Sequence, residues 1–337
     1  MFFPEGQIRV HLYGEPVDMR KSFNGLYALT RHGLGADPLS GGQPPICDYE
    51  GSDYQDRFWT PGERAYEDGA EAAALRRLLP DDGDFLLEIG AGAGRNTLRY
   101  SGFERIALVD YSLSQLQRAQ ESLGKDQRYL YVAADVYRLP FAPGLFDGAT
   151  MIRTLHHMSD PQAALASVAE VLQQNSTFVL EYANKRNLRA VLRWLVRTQV
   201  WNPFDRAPIE FVKLNFNFHP QSVRAWLAEA GLVVERELAV SMFRLPLFKS
   251  ILPAGTLIAL DAAVQPIGRW ILLSPSVFLR ARAGRSFSSH QPGAFWRCPV
   301  CRSLQIDENP DGLSCLTCGR DWALKNGIYD LRSRLEG

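Results

Sequence analysis

The stretch that most limits the fold is residues 84–96, which read DFLLEIGAGAGRN. Phe85, Leu86, Leu87 and Ile89 form a short apolar run that breaks straight into Gly90, Gly92 and Gly94. Such a run reads as a buried parallel strand ending in a tight glycine turn that feeds a helix. Each glycine removes a Cβ where the backbone turns sharply or a ligand comes close. The unpaired N–H groups at the start of the helix would face that ligand, so a mononucleotide-like cofactor is expected. Spacing narrows which one. A dinucleotide fingerprint puts its third small residue five places after the first glycine. Here that place holds Arg95 and the third glycine comes at four, while Glu88 sits two residues ahead of the turn, where a dinucleotide site needs no acid.

Downstream, two further strands end in acids. IALVD at 106–110 ends in Asp110, 20 residues after Gly90, where a carboxylate can accept hydrogen bonds from both hydroxyls of a ribose. RYLYVAAD ends in Asp135, placed to accept from an adenine amino group with Val136 beside the ring. A fourth strand runs through LFDGATMIRTLHHM, opened by Asp147 and followed by His156 and His157. A fifth, STFVLEY, ends at Glu181 and Tyr182. Either Asp110 or Asp135 alone would read as a helix N-cap. Both spacings together, behind the glycine turn, point to a cofactor site.

The run from about Tyr54 to Ala283 resembles the class I S-adenosylmethionine (SAM) methyltransferases, through LLEIGAGAGRN, ALVDYS, AADVYRLPF, FDGATMIRTLHHMSD and FHPQSVRAWLAEAGL. The resemblance implies a Rossmann-like α/β fold. Its seven-stranded sheet would be mostly parallel with one reversed strand, have helices on both faces and bind SAM at the strand C-terminal edge. Strands near 232–240 and 276–283 would complete it. Carried over by position, Glu88 and the turn at Gly90, Ala91, Gly92 and Gly94 would hold the methionine part. Asp110 would hold the ribose and Asp135 with Val136 the adenine, and Tyr111 and Arg153 join the cofactor-binding set. One departure is LQQNS at 172–176, where relatives carry a structural Pro-Gly-Gly turn. In-line methyl transfer draws on orientation effects that reach about 7–11 kcal/mol. A base is needed only if the acceptor loses a proton, and His157, Glu181 and Tyr182 are then the candidates by position. Tyr54, Phe58 and Trp59, ahead of the first helix, would close over the cofactor or simply pack.

Charge divides the chain. Residues 1–181 hold 16 Lys/Arg against 25 Asp/Glu, a net of −9, and residues 182–286 hold 15 against 6, a net of +9. Within the basic part, Asn184 to Val200 reads as an amphipathic helix, with Arg186, Arg189, Arg193 and Arg197 on one stripe and Leu188, Val191, Leu192 and Leu195 on another face. The plain reading is a solvated stripe opposite a core stripe. The sharper one is that the arginines bind phosphates of RNA, an anionic lipid surface or an acidic small molecule. Phe211, Phe216 and Phe218 would stack on a flat substrate or line a lid, and the Leu-, Ile- and Pro-rich segment 241–275 is where the resemblance places substrate choice. Its longest charge-free apolar part, Ser250 to Leu260, is too short to span a bilayer, and MFFPEGQIRV does not read as a signal peptide, so a cytoplasmic protein with no transmembrane segment is expected.

Both ends look like additions to this domain, which is expected over 47–286. IRVHLYGEPVDMRKSFNGLYALTRHGLGADPLSG resembles the opening of the Orf2-type accessory proteins of a bacterial insertion-sequence family, stopping at about Gly42. A Pro/Gly-rich linker, GQPPICDYEG, follows, so residues 1–46 are expected to be a truncated insertion-element segment and linker, loosely attached. At the other end, over 287–337, Cys298 and Cys301 pair with Cys315 and Cys318 as two C-x-x-C knuckles thirteen residues apart. Four thiolates so spaced suit tetrahedral zinc with no open position, hence a structural zinc ion. With NGIYDLR, this part resembles the small zinc-ribbon proteins that activate RNA and protein methyltransferases. The expected activity is SAM-dependent methyl transfer to a small-molecule or lipid-like acceptor. RNA is the alternative acceptor, and a non-catalytic SAM-fold protein from a disrupted gene or an NAD-binding oxidoreductase are the rival classes.

Overall fold

The computed structural model describes residues 44–51, 64–285 and 293–332. The insertion-element resemblance and the aromatics Tyr54, Phe58 and Trp59 lie outside them. The apolar run at 84–89 forms β1 (Gly83–Ile89), buried from Phe85 onward. It pairs in parallel with β2 (Phe103–Asp110) on one side and β4 (Phe146–Met151) on the other. Adding β3 (Tyr129–Ala133), β5 (Leu172–Ala183), β8 (Leu232–Val240) and β9 (Ser276–Ala283) gives the order β3-β2-β1-β4-β5-β9-β8. β9 is antiparallel to both neighbours and is the one reversed strand. This is the expected Rossmann-like methyltransferase sheet.

Strand alternation divides the core in two. Phe85, Leu87 and Ile89 face a cluster that includes α3 (Pro161–Val171) and α5 (Pro220–Glu229), whereas Leu86, Ile106 and Leu108 face α1 (Ala65–Leu78), α2 (Leu113–Leu123) and α7 (Ala254–Val264). Buried on both sides, β1 reads as a continuous apolar run, and each of its large side chains contributes roughly 1.5–3 kcal/mol by leaving water. The helix starts follow local chemistry. Ser112, Asp160 and His219 accept from Gln115 N, Ala163 N and Gln221 N, and Pro161 and Pro220 occupy first turns where a missing N–H costs nothing.

Four expectations change. The segment after the glycine turn is a single 3₁₀ turn, Thr97–Arg99, because β2 begins already at Phe103 and leaves no length for an α-helix. The helix expected over 184–200 is the shorter α4 (Leu188–Leu195), capped by Asn187 accepting from Ala190 N, and Ala190 is its only buried residue. Its leucines therefore form no core stripe. LQQNS is absorbed into β5, with Asn175 in the left-handed region at φ 66°. Finally, the ribbon is part of the sheet. β10 (Ile306–Asn309), β11 (Gly312–Cys315), β12 (Asp321–Lys325) and β13 (Ile328–Asp330) extend it to eleven strands, with β13 parallel to β3. That pairing covers what would otherwise be an open edge beside Asp135. Trp296 stacks on Phe141 at 5.5 Å, and Arg297 and Arg302 both pair with Glu170, fastening the ribbon to α3 as well.

Candidate functional site

The C-terminal ends of β1, β2 and β3 open into one cavity lined by Glu88, Asp110 and Asp135, together with Gly90, Ala91, Gly92, Tyr111, Val136 and Arg153. Every expected cofactor residue except Gly94 lines it. Gly94 sits behind the turn, where a Cβ would fall 2.8 Å from Leu123 Cδ1. The turn itself needs glycine. Gly90 holds φ 68°, and a Cβ there would fall 2.1 Å from Thr154 Oγ1. Gly92 N donates to Asp110 Oδ2 at 2.9 Å and Ser112 N to Oδ1 at 2.9 Å, which fixes the carboxylate at the cavity edge. Asp135 Oδ1 accepts from Tyr137 N at 2.9 Å, so this acid also caps the following 3₁₀ turn.

Burial sets the electrostatics. Glu88 is 4% exposed and accepts from Thr97 Oγ1 at 2.6 Å; desolvation pushes its carboxyl up to about 7 against that bond. Asp110 is raised too, by burial, with the Ser112 and Gly92 N–H groups opposing. On the same side, the buried Glu71 accepts from Arg153 Nε at 2.7 Å and pairs with Arg95 at 2.8 Å. Burial alone would raise Glu71, but the two guanidinium groups hold it below the ordinary value. Arg153 itself is strained at φ 55°, and its N–H donates to Glu181 Oε2 at 2.9 Å.

Of the three candidate bases, His157 alone lines the cavity. Glu181 points into the sheet, where Ser276 Oγ donates to it and burial raises its carboxyl. Tyr182, on the opposite face of β5, is a fully buried core residue. His157 Nδ1 lies 3.1 Å from Leu214 O, and its Nε2 lies 3.1 Å from Tyr49 Oη. A carbonyl only accepts, so Nδ1 carries the proton and Nε2 is left to accept from the phenol. Burial lowers the pKa of His157 and keeps it neutral.

Sequence reasoning missed the wall formed by Ile46, Cys47 and Tyr49. The segment read as a linker is docked here: Glu50 accepts from Leu113 N at 2.9 Å and Ser114 N at 3.1 Å, at the start of α2. The signal was the acid in CDYEG, an N-terminal cap supplied from another part of the chain. The ribbon reaches the same rim, as Arg332 donates to Tyr111 O at 3.3 Å and pairs with Asp330 at 2.7 Å. At the far end of the ribbon, the Sγ atoms of Cys298, Cys301, Cys315 and Cys318 lie within 4.8 Å of one another. A tetrahedron with metal–sulfur bonds of about 2.3 Å has sulfurs roughly 3.8 Å apart, so the four thiols already have the shape of a metal site. Of the phenylalanines expected near the substrate, Phe218 is in the core, Phe216 stacks on it, and Phe211 is exposed; none lines the cavity.

Comparison with known proteins agrees with this geometry. Residues 87–180 match the family described as the methyltransferase domain. An O-methyltransferase, cnsE, of Penicillium expansum is 33% identical over 109 residues, 31% of this chain and 40% of that protein. A demethylmenaquinone methyltransferase of a Mycobacterium species is 28% identical over 225 residues, 63% of this chain and 84% of that protein. The chain thus spans about two fifths to three fifths of the length of the O-methyltransferases it matches. Among solved structures, a chain of the Haloferax volcanii complex containing the Trm112 methyltransferase activator aligns with a TM-score of 0.48 and 16% identity, covering 69% of this chain and 95% of its own. The N-methyltransferase NodS of Bradyrhizobium japonicum aligns with 0.43 and 15%, covering 69% and 93%.

Proposed function

We propose that this protein is a SAM-dependent methyltransferase acting on a small-molecule or lipid-like acceptor, with a structural zinc ion in its ribbon. The observation that carries the reading is the convergence of Glu88, Asp110 and Asp135 on one cavity behind a glycine turn. The residues present fit SAM. A carboxyl pushed to about 7 by burial regains its full charge opposite the ligand's ammonium group. Asp110 offers a fixed carboxylate to the ribose hydroxyls, and Gly90 leaves the backbone bare where the methionine part passes. When bound, SAM supplies an electrophilic methyl group on a sulfonium. The protein's part is to orient the donor and acceptor and to exclude water. Where the acceptor must lose a proton, Tyr49 and His157 are the groups placed to take it: neutral His157 Nε2 accepts from the Tyr49 phenol, whose oxygen can in turn accept from an acceptor hydroxyl.

By their names, one relative is an O-methyltransferase and another acts on demethylmenaquinone, which supports a small or lipid-like acceptor for this chain. RNA is retained as the second acceptor because of the ribbon and the cationic helix. Transfer of an isotope-labelled methyl group from SAM to a panel of phenols, naphthoquinols and total RNA decides between them. Label in the small molecules supports the reading, and label confined to RNA overturns it.

A further inference from the structure

The segment between β5 and β9 turns apolar side chains outward. In α4, Leu188, Leu192 and Leu195 recur at i, i+4 and i+7 and so share one face, where they are 45%, 52% and 61% exposed. The chain that returns to the start of this helix continues the same surface. Leu188 N donates to Leu273 O at 2.8 Å, and just before that anchor Trp270 is 72% exposed and Ile271 54%. α6 (Pro246–Ile251), packed against α7, adds exposed Leu247 and Ile251. Apolar exposure on α4 and on the chain anchored at its start marks a surface that meets something.

Charge says what. Arg189 and Arg193 line the flank of the leucine stripe and Arg197 follows just past the helix end; all three are exposed and enter none of the ion pairs among the described residues. They belong to the part of the chain with 15 Lys/Arg against 6 Asp/Glu. RNA would satisfy the arginines but offers nothing to three exposed leucines. A second copy of the chain, docked by a two-fold axis, would bring this cationic stripe against itself. A bilayer with anionic headgroups satisfies both, taking leucine and tryptophan at the headgroup–acyl boundary and arginine at the phosphates. Among the described residues no helix is long and apolar enough to cross a membrane, so the contact is with the surface.

We propose that this face docks on an anionic lipid surface, with Leu188, Leu192, Leu195 and Trp270 inserted and Arg189, Arg193 and Arg197 on the phosphates. The hairpin of β6 (Ile209–Val212) and β7 (Asn215–Asn217) lies in the same segment, and the Leu214 carbonyl at its turn is 3.1 Å from His157 Nδ1, so the segment that carries the docked face also reaches the cavity wall. The inference goes beyond the methyl-transfer reading and does not depend on it, because vesicle binding is measured without turnover. The test is co-sedimentation of the full chain with mixed phosphatidylcholine–phosphatidylglycerol vesicles and with pure phosphatidylcholine vesicles. The chain should bind the mixed vesicles more tightly. Leu192→Glu with Leu195→Glu should weaken partitioning at least about tenfold. Arg189→Glu with Arg193→Glu should erase the preference for anionic vesicles. Both variants should keep the wild-type melting temperature, since the side chains are exposed. Failure of the wild type to bind either vesicle, or wild-type binding by the leucine variant, overturns the proposal. So does a wild-type dimer that the leucine variant converts to monomer in light scattering.

Discussion

The two flanks of the sheet expose opposite chemistry at their open side. On the β1–β3 flank, the strand ends carry three acids that are buried or nearly so, Asp110 and Asp135 fixed by backbone N–H groups and Glu88 by the Thr97 hydroxyl, and backed by the Glu71–Arg153–Arg95 network. On the β5–β9 flank, the inserted segment carries exposed leucines, an exposed tryptophan and arginines that enter no ion pair among the described residues. The first flank is acidic and opens into one cavity. The second is cationic and apolar at once, and only Ala190 of α4 is anchored in the core. The two proposals together assign cofactor recognition to one flank and recognition of a larger surface to the other, each with its own charge.

The ribbon gives the sharpest way to break the cofactor flank. It supplies β13 against β3 and Arg332 against Tyr111, so its loss should spread to the cavity rim. Cys298→Ser with Cys315→Ser, or metal chelation, should cost the ribbon most of its folding energy, on the order of 10 kcal/mol of binding free energy. Thermal scans should show a lowered or split transition, and calorimetry a weakened affinity for S-adenosylhomocysteine; unchanged affinity would show that the ribbon serves only the acceptor. Asp110→Ala comes next. Removing the carboxylate leaves Gly92 N and the ribose hydroxyls without an acceptor, and the affinity for S-adenosylhomocysteine should fall about tenfold to a hundredfold with the fold intact by circular dichroism.

Glu88 supplies a pH signature. Its folded pKa, about 7, lies above the ordinary 4.5, so the folded protein binds more protons than the unfolded chain between those values. The group therefore costs nothing below pH 4.5, and stability falls as pH rises through 7, by roughly 3 kcal/mol at most. Glu88→Gln should remove that slope and stabilise the ligand-free protein at pH 8. It should also weaken S-adenosylhomocysteine binding and flatten its rise between pH 6 and 8. Wild-type pH dependence in the variant would contradict this assignment. The smallest effect belongs to the basic flank: Arg189→Glu with Arg193→Glu should leave S-adenosylhomocysteine affinity within about twofold, because neither side chain reaches the cavity.

Much of the first flank was legible because its signals are local. A glycine that must adopt φ 68° and an acid at a strand's last residue are read directly from adjacent positions. Strands 232–240 and 276–283 were expected because the resemblance implied them. The second flank was not, since Leu188, Leu192 and Leu195 have the spacing of a core stripe and sequence does not say which way a helix turns its apolar face. Tyr49 was missed because it joins His157 across 108 positions, and Glu50 because its partners begin 63 residues away. Likewise, C-x-x-C spacing showed that four thiols converge but not that β13 would join the central sheet.

The central claim is that the cavity is built for SAM, and calorimetric titration of the full chain with S-adenosylhomocysteine and, separately, with NAD tests it most directly. The account predicts saturable binding of S-adenosylhomocysteine that Asp110→Ala weakens, and no binding of NAD. Binding of NAD in its place, or of neither ligand by a folded chain, would contradict it.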